Sequence, residues 1–258
     1  MPSPLMNIAV RAARAAGRII LRHVDRVDML DVTSKGHNDF VSQVDRQAEQ
    51  AIIETVHHVY PGHGILGEES GAHEGDDYLW IIDPLDGTTN YLHGFPQFAV
   101  SVAVQRRGVL EEAVVYDPLR EEMFTATRGD GAVLNQKRLR VSSRRRLDES
   151  LIGTGFPFRD MDNLERYLDT FKKLVPETAG IRRAGSAALD LAYVAAGRLD
   201  GFWEFGLHPW DMAAGVLLIR EAGGLVSDTS GGDDFMASGN LVAGTPKIHT
   251  AILEAVRS

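Results

Sequence analysis

The chain has 258 residues, 44% hydrophobic and 24% charged, with 36 acidic against 27 basic side chains and a formal net charge of −9. This composition excludes a disordered, collagen-like or coiled-coil chain and argues against non-specific nucleic-acid binding as the main activity. No apolar run reaches the roughly 18 residues of a membrane span, and the absence of cysteine excludes disulfides, thiolate zinc sites and cysteine nucleophiles.

The spacing predicts a first helix over residues 5–23. Ile8, Ala12, Ala15 and Ile19 recur on one face, and Arg11, Arg14, Arg18 and Arg22 on another. The arginines superficially suggest an organellar transit peptide, but the period is that of an amphipathic helix of the mature protein. No h-region with a cleavage site precedes it, so a cytoplasmic protein without membrane contact is expected. A polar loop with Lys35, Gly36, Asn38 and Asp39 follows. A second helix is expected over 42–59, stopped by Pro61 and Gly62. Apolar runs at 64–66 and 79–82 read as buried strands. Residues 98–127 read as alternating strands, with turns at Arg107-Gly108 and Gly129-Asp130-Gly131. The first half is thus two helices beside an antiparallel sheet. The second half alternates strands (151–154, 180–183, 201–204, 225–227, 241–243) with helices (163–175, 186–196, 209–222, 246–256), the pattern of an α/β lobe. The expected organisation is an N-terminal α+β lobe at 1–146, carrying a metal site, and a C-terminal α/β lobe at 147–258, carrying the substrate side, in one compact unit.

Several motif matches carry no chemistry. Gly62-His63-Gly64-Ile65-Leu66-Gly67 fits G-x-G-x-x-G, but a helix precedes it and two acids follow, which is the wrong setting for a dinucleotide fingerprint. No P-loop, nucleophile elbow or H-E-x-x-H is present. The basic run at 137–146 reads as a solvated loop or as a docking patch for an acidic partner or nucleic acid.

The informative string is Trp80-Ile81-Ile82-Asp83-Pro84-Leu85-Asp86-Gly87-Thr88-Thr89-Asn90. Two carboxylates follow a buried strand on a short corner, with Pro84 holding Asp83 extended and Asp86-Gly87 turning the chain. Oxygen ligands without Cys or His favour Mg²⁺ or Mn²⁺ over zinc. The helix start at Gly87–Asn90 offers free backbone N–H groups to a phosphate, and hydroxyls that cap the helix or position a water. An Asp-Gly turn with a threonine cap accounts for part of this string but not for all of it. Glu68, in Gly67-Glu68-Glu69-Ser70, and Asp211, in the first turn of a helix begun by Pro209, are two further acids at element ends. If these acids converge, each pair about 4 Å apart repels by roughly 4 kcal/mol at an effective dielectric near 20, and cations are needed to hold them together.

At these residues the chain resembles the inositol monophosphatase family, the lithium-sensitive, Mg²⁺-dependent sugar phosphatases. Trp80–Asn90 matches the family's first signature and Trp210-Asp211-Met212-Ala213-Ala214-Gly215 its second. Glu68-Glu69, the segment from Asn38 to Asp45, Gly185-Ser186-Ala187-Ala188 and Glu204 also match, so the resemblance covers nearly the whole chain. Residues 7–17 and 183–201 look like the bacterial inositol-1-monophosphatase branch. The resemblance implies a layered α-β-α-β-α sandwich, α/β (α+β), of the inositol monophosphatase and fructose-1,6-bisphosphatase type, and a homodimer. It implies metal ligands at Glu68, Asp83, Asp86, Asp211 and the Leu85 carbonyl, and Lys35 near an outer metal site. Asp45 and Thr88 would activate the attacking water. Asp86, Gly87, Thr88, Gly185, Ser186, Ala187, Glu204 and Asp211 would contact phosphate or polyol.

The expected reaction is hydrolysis of a phosphate monoester by metal-activated water without a phosphoenzyme, because acids that ligate metal are not free to attack phosphorus. Two Mg²⁺ ions, with Mn²⁺ as a substitute, would lie about 3.5–4 Å apart, with a third at a weaker site. myo-Inositol 1-phosphate is the expected substrate, other small polyol or sugar phosphates also being accepted. The alternatives are a fructose-1,6-bisphosphatase, a 3′-phosphoadenosine phosphatase, or an accessory binding role with RNA polymerase or antitermination factors in ribosomal RNA synthesis.

Overall fold

The computed structural model of the protein describes residues 3–29, 32–36, 39–157 and 161–257. Helix α1 (Pro4–His23) opens with Ser3 as N-cap and Pro4 in its first turn, and its buried stripe includes Ala9, Ala12, Ala16 and Ile20. The alanines and Gly17 let the helix lie close to a sheet; a Cβ at Gly17 would strike the Tyr116 ring. Strands β1 (Val32–Gly36) and β2 (Asp39–Ser42) form an antiparallel hairpin. A polar loop was expected there, but Val32, Thr33, Phe40 and Val41 flank its centre, and such β-branched and aromatic residues favour pairing. Lys35 falls in β1 with its side chain outside the described residues, and Asn38 lies outside them altogether. Helix α2 (Gln43–His57) follows, capped by Ser42.

The large sheet is built from β3 (Gly64–Gly67), β4 (Gly71–His73), β5 (Tyr78–Asp86), β6 (Ala99–Arg106), β7 (Val109–Asp117), β8 (Glu122–Thr127), β9 (Gly131–Leu134) and β10 (Lys137–Arg138), with the short helix α3 (Thr88–Leu92) after β5. Its order is β10-β9-β8-β7-β6-β5-β3-β4. It is antiparallel except at β3 and β5, which run parallel, so the expected antiparallel sheet is a mixed one. The second sheet takes β11 (Leu151–Thr154), β12 (Gly180–Arg182), β13 (Gly201–Glu204), β14 (Leu225–Ser227) and β15 (Leu241–Gly244) in the order β12-β11-β13-β15-β14. Between these strands lie α4 (Leu164–Leu174), α5 (Ala187–Ala195), α6 (Pro209–Glu221) and α7 (Phe235–Ser238), and α8 (Pro246–Arg257) closes the chain.

Strand alternation sets the layers. Trp80, Ile82, Val100, Val102 and Val104 turn to α1 and α2, while Ile81, Ala99, Ala103, Ala113 and Phe124 turn to the opposite layer of α5 and α6. In the second sheet Phe202 and Ala243 join that middle layer, and Trp203 and Val242 face α4 and α8. The result is an α-β-α-β-α sandwich. Helix α6 lies between two sheets, which is why it is buried from Asp211 through Ile219 with no polar face. Fully burying one aliphatic side chain such as Ile82 contributes about 1.5–3 kcal/mol, so two-sided layers suit these Val- and Ile-rich strands. Among the described residues no helix is long and apolar enough to cross a membrane.

Candidate active site

Strand β5 carries the first two acids, and its register explains how they meet. Asp83 pairs with Ser101 and Asp86 with Ala99, so the partner strand advances two residues while β5 advances three. In a regular strand, residues three apart point to opposite faces; the extra residue of this bulge, at Pro84-Leu85, removes that mismatch. Pro84 has no N–H to give the ladder, which suits it to a bulge. Asp83 Oδ1 accepts the Leu85 N–H at 2.9 Å, closing the corner. Asp86 Oδ2 accepts the Ser186 hydroxyl at 2.5 Å and the Ala188 N–H at 2.8 Å, which ties the corner to the start of α5. Asp211 stands at the start of α6, where its Oδ2 accepts the His208 N–H at 2.7 Å.

Ligand oxygens of Asp83, Asp86 and Asp211 all lie within 4.8 Å of one another, and all three residues are buried. Burial, then the charges of Glu68, Asp86 and Asp211, push the Asp83 carboxyl well above its ordinary range. Asp86 rises to about 7 through burial and then Asp211, against the bonds from Ser186 and Ala188. So many acids in one buried place are stable only when protonated or when cations offset them. The oxygen-only donor set fits a hard divalent cation. Glu68 lies outside the 4.8 Å triad but lines the same cavity and acts electrostatically on Asp83. Its backbone N–H donates to the Ile82 carbonyl at 3.1 Å, one residue before Asp83.

On the other side of the corner, Gly87 has φ +94°, and a Cβ there would sit 2.8 Å from the Gln97 carbonyl. Only glycine fits both constraints. The turn delivers the Thr88 hydroxyl to within 2.9 Å of Asp45 Oδ1 and 3.0 Å of the Leu85 carbonyl. Asp45 Oδ2 takes the Ser42 N–H at 2.9 Å and the Ser42 hydroxyl at 2.6 Å. Burial raises the Asp45 carboxyl above its usual range, against these bonds and that from Thr88.

Gly185, Ser186, Ala187 and Glu204 line the same cavity of about 270 Å³ as the acids and Thr88. The Gly185 carbonyl accepts from the Asn90 amide at 3.2 Å. The Ser186 hydroxyl, expected to meet substrate, serves Asp86 here. The Glu204 carboxylate lies so close to Gly155 that a Cβ there would overlap it. Burial, then Asp211 and Asp190, raise the Glu204 carboxyl well above its usual range.

Two acids were not singled out from the sequence. Asp190, 2% exposed, lines the cavity beside Asp86, and Glu49, also 2% exposed, reaches the turn that carries Glu68. An acid four residues beyond Asp45, on the stripe of Val44, Ala48 and Ile52, was the available signal for Glu49. The basic run is partly committed elsewhere. Arg144 pairs with the buried Asp200 at 3.2 Å, and Arg146 pairs with Asp148. Lys137, Arg140 and Arg145 are exposed.

A model of the inositol monophosphatase family matches residues 1–258. The chain belongs to the inositol monophosphatase family. It is 58% identical over 260 residues to a Pseudomonas aeruginosa protein named Nus factor SuhB, covering 98% of this chain and 96% of that one. The extragenic suppressor protein suhB of Bartonella henselae superposes with a TM-score of 0.96 at 48% identity, covering 99% of each chain. An IMPase of Thermotoga maritima superposes with a TM-score of 0.90 at 35% identity, covering 99% of this chain and 97% of that one. Like other members of the family, the chain has a phosphatase fold, and its acidic triad stands where a metal ion could be held.

Proposed function

We propose that the chain is a Mg²⁺-dependent phosphate monoester hydrolase whose substrate is myo-inositol 1-phosphate. The observation that carries the reading is the buried triad of Asp83, Asp86 and Asp211 opening on a cavity that also holds Thr88 and Glu204. Asp83, Asp86 and Asp211, with Glu68 and the Leu85 carbonyl, would hold the cations. When bound, divalent cations supply Lewis acidity, making a water more acidic and drawing negative charge from the phosphate. Thr88 Oγ1 orients the attacking water. As it takes the water's proton it passes its own to Asp45 Oδ1, which burial has made a better base than a solvated carboxylate. Asp86, anchored by Ser186 and Ala188, keeps the corner fixed during this transfer. Glu204 accepts hydrogen bonds from polyol hydroxyls on the far side. The test is phosphate release across inositol, fructose and adenosine phosphates, with and without Mg²⁺, in wild type and Asp83→Asn. Mg²⁺-dependent release, strongest on inositol 1-phosphate and lost in the variant, supports the reading. Near-wild-type turnover of Asp83→Asn at saturating Mg²⁺ contradicts it.

A second reading rests on the Pseudomonas relative named Nus factor SuhB. The chain would also bind the transcription machinery, through the exposed Lys137, Arg140 and Arg145. Separation is tested by RNA polymerase binding near physiological salt. Asp83→Asn should retain it, and alanine at these three positions should lose it. Arg144 is unsuited to this test, because removing it uncovers the buried Asp200 carboxylate. Absence of polymerase binding by the wild type sinks this second role alone.

A further inference from the structure

We propose that Glu49 is a positioning residue that fixes the aim of the Glu68 carboxylate into the metal site. The inference rests on the proposed cation site and deepens it. Glu68 follows β3 in a turn, where a side chain has no sheet ladder to hold it beyond Gly67. Its direction depends on the two peptide planes flanking its Cα. The first is fixed by β5, since the Glu68 N–H donates to the Ile82 carbonyl at 3.1 Å. The second is fixed by Glu49, whose Oε2 accepts the Glu69 N–H at 2.9 Å. Glu49 Oε1 takes the next amide, Ser70 N–H, at 2.7 Å. One buried carboxylate thus holds two consecutive amides, and both planes around Glu68 are pinned.

Gly67 is part of this arrangement. A Cβ at residue 67 would lie 2.7 Å from Glu49 Cδ, closer than real contacts allow. Glycine therefore lets the carboxylate reach the amides. Glu49 also sits one helical turn from Asp45, so a single buried face of α2 serves both sides of the site. Asp45 holds the Thr88 hydroxyl and Glu49 holds the Glu68 turn. Glu49 touches neither substrate nor ion in this account; it acts through Glu68.

Glu49→Gln keeps the shape but leaves one acceptor for two N–H donors and points an amide N–H₂ at the other. The test titrates Mn²⁺ into wild type and Glu49→Gln, and follows amide exchange at residues 69 and 70. The variant should bind Mn²⁺ roughly 10–100-fold more weakly, as when a ligand's hydrogen-bonding partner is removed. Both amides should exchange faster. Half-saturating Mg²⁺ for phosphate release should rise in parallel, with kcat largely recovered at saturating Mg²⁺, a split that general loss of folded protein does not produce. Gly67→Ala, which displaces the carboxylate without removing it, should reproduce the pattern and serves if Glu49→Gln does not fold. Unchanged Mn²⁺ affinity in either folded variant, or weakened affinity with unchanged amide protection, overturns the proposal. A wild type that binds no Mn²⁺ overturns instead the metal reading on which it rests.

Discussion

The Thr88 hydroxyl carries one proton and faces two acceptors, Asp45 Oδ1 at 2.9 Å and the Leu85 carbonyl at 3.0 Å. A carbonyl that turns its lone pair to a cation is a poorer acceptor, so metal loading would direct the hydroxyl to Asp45. What makes this geometry possible is Gly87. Alanine there must hold a left-handed backbone, which costs about 1–3 kcal/mol, and must also push its Cβ against the Gln97 carbonyl. Gly87→Ala is therefore expected to lower unfolding stability by at least that amount in urea titrations and to reduce turnover by displacing Thr88. Full turnover in a folded variant would show that Thr88 does not need this turn. The Asp-Gly-Thr-Thr string was legible as a corner because its residue types have narrow conformational uses. Asp190 and Glu49 were not legible. An acid in a helix looks the same on paper whether it faces water or another layer, and only the layers decide.

Helix periods survive tertiary packing well, so α1, α2, α4, α5, α6 and α8 end within two residues of their expected bounds. The strands β1, β2, β4, β9 and β10 and the four-residue α7 escaped notice because each has five residues or fewer, too few to show a period of its own. The bulge in β5 was equally hidden, since register is a property of two strands. At this scale His63 also makes a measurable claim. It stacks between Tyr60 and Tyr78, with centroids 4.5 and 4.6 Å away, and its Nδ1 accepts the Trp80 indole N–H at 2.9 Å. Burial lowers its pKa from 6.5, against the charge of Asp76. Below the unfolded value the unfolded chain then binds more protons than the native one, so His63 costs stability as pH falls from about 6.5 toward the lower native pKa. The buried acids with raised pKa gain stability over the same interval, so the His63 contribution is read as a difference: between pH 7.5 and 5.5, urea titrations should show His63→Phe losing less stability, or gaining more, than wild type. That variant should be about 1–3 kcal/mol less stable at pH 7.5, because the buried Trp80 N–H loses its acceptor. An equal pH dependence in both proteins would remove His63 from the account.

Across the whole molecule, the cavity forms where three layers meet. The end of β5 supplies Asp83 and Asp86, the start of α6 supplies Asp211, the start of α5 anchors Asp86, and α2 in the outer layer holds Thr88 through Asp45 and the Glu68 turn through Glu49. Acids scattered from residue 45 to residue 211 converge because alternate faces of one sheet are covered by different helix pairs. The alternation of strands and helices made an α/β lobe expectable, whereas the layered sandwich and the set of acids that would meet came from the resemblance to the family, since composition and period carry nothing about which acids touch. If the proposed function holds, this buried triad is a cage for divalent cations. The direct measurement is anomalous diffraction from crystals soaked in Mn²⁺. A peak is expected at coordination distance from carboxylate oxygens of Asp83, Asp86 and Asp211, and it should disappear in Asp83→Asn crystals. Mn²⁺ bound elsewhere with the triad empty, or a peak unchanged by that substitution, would contradict it.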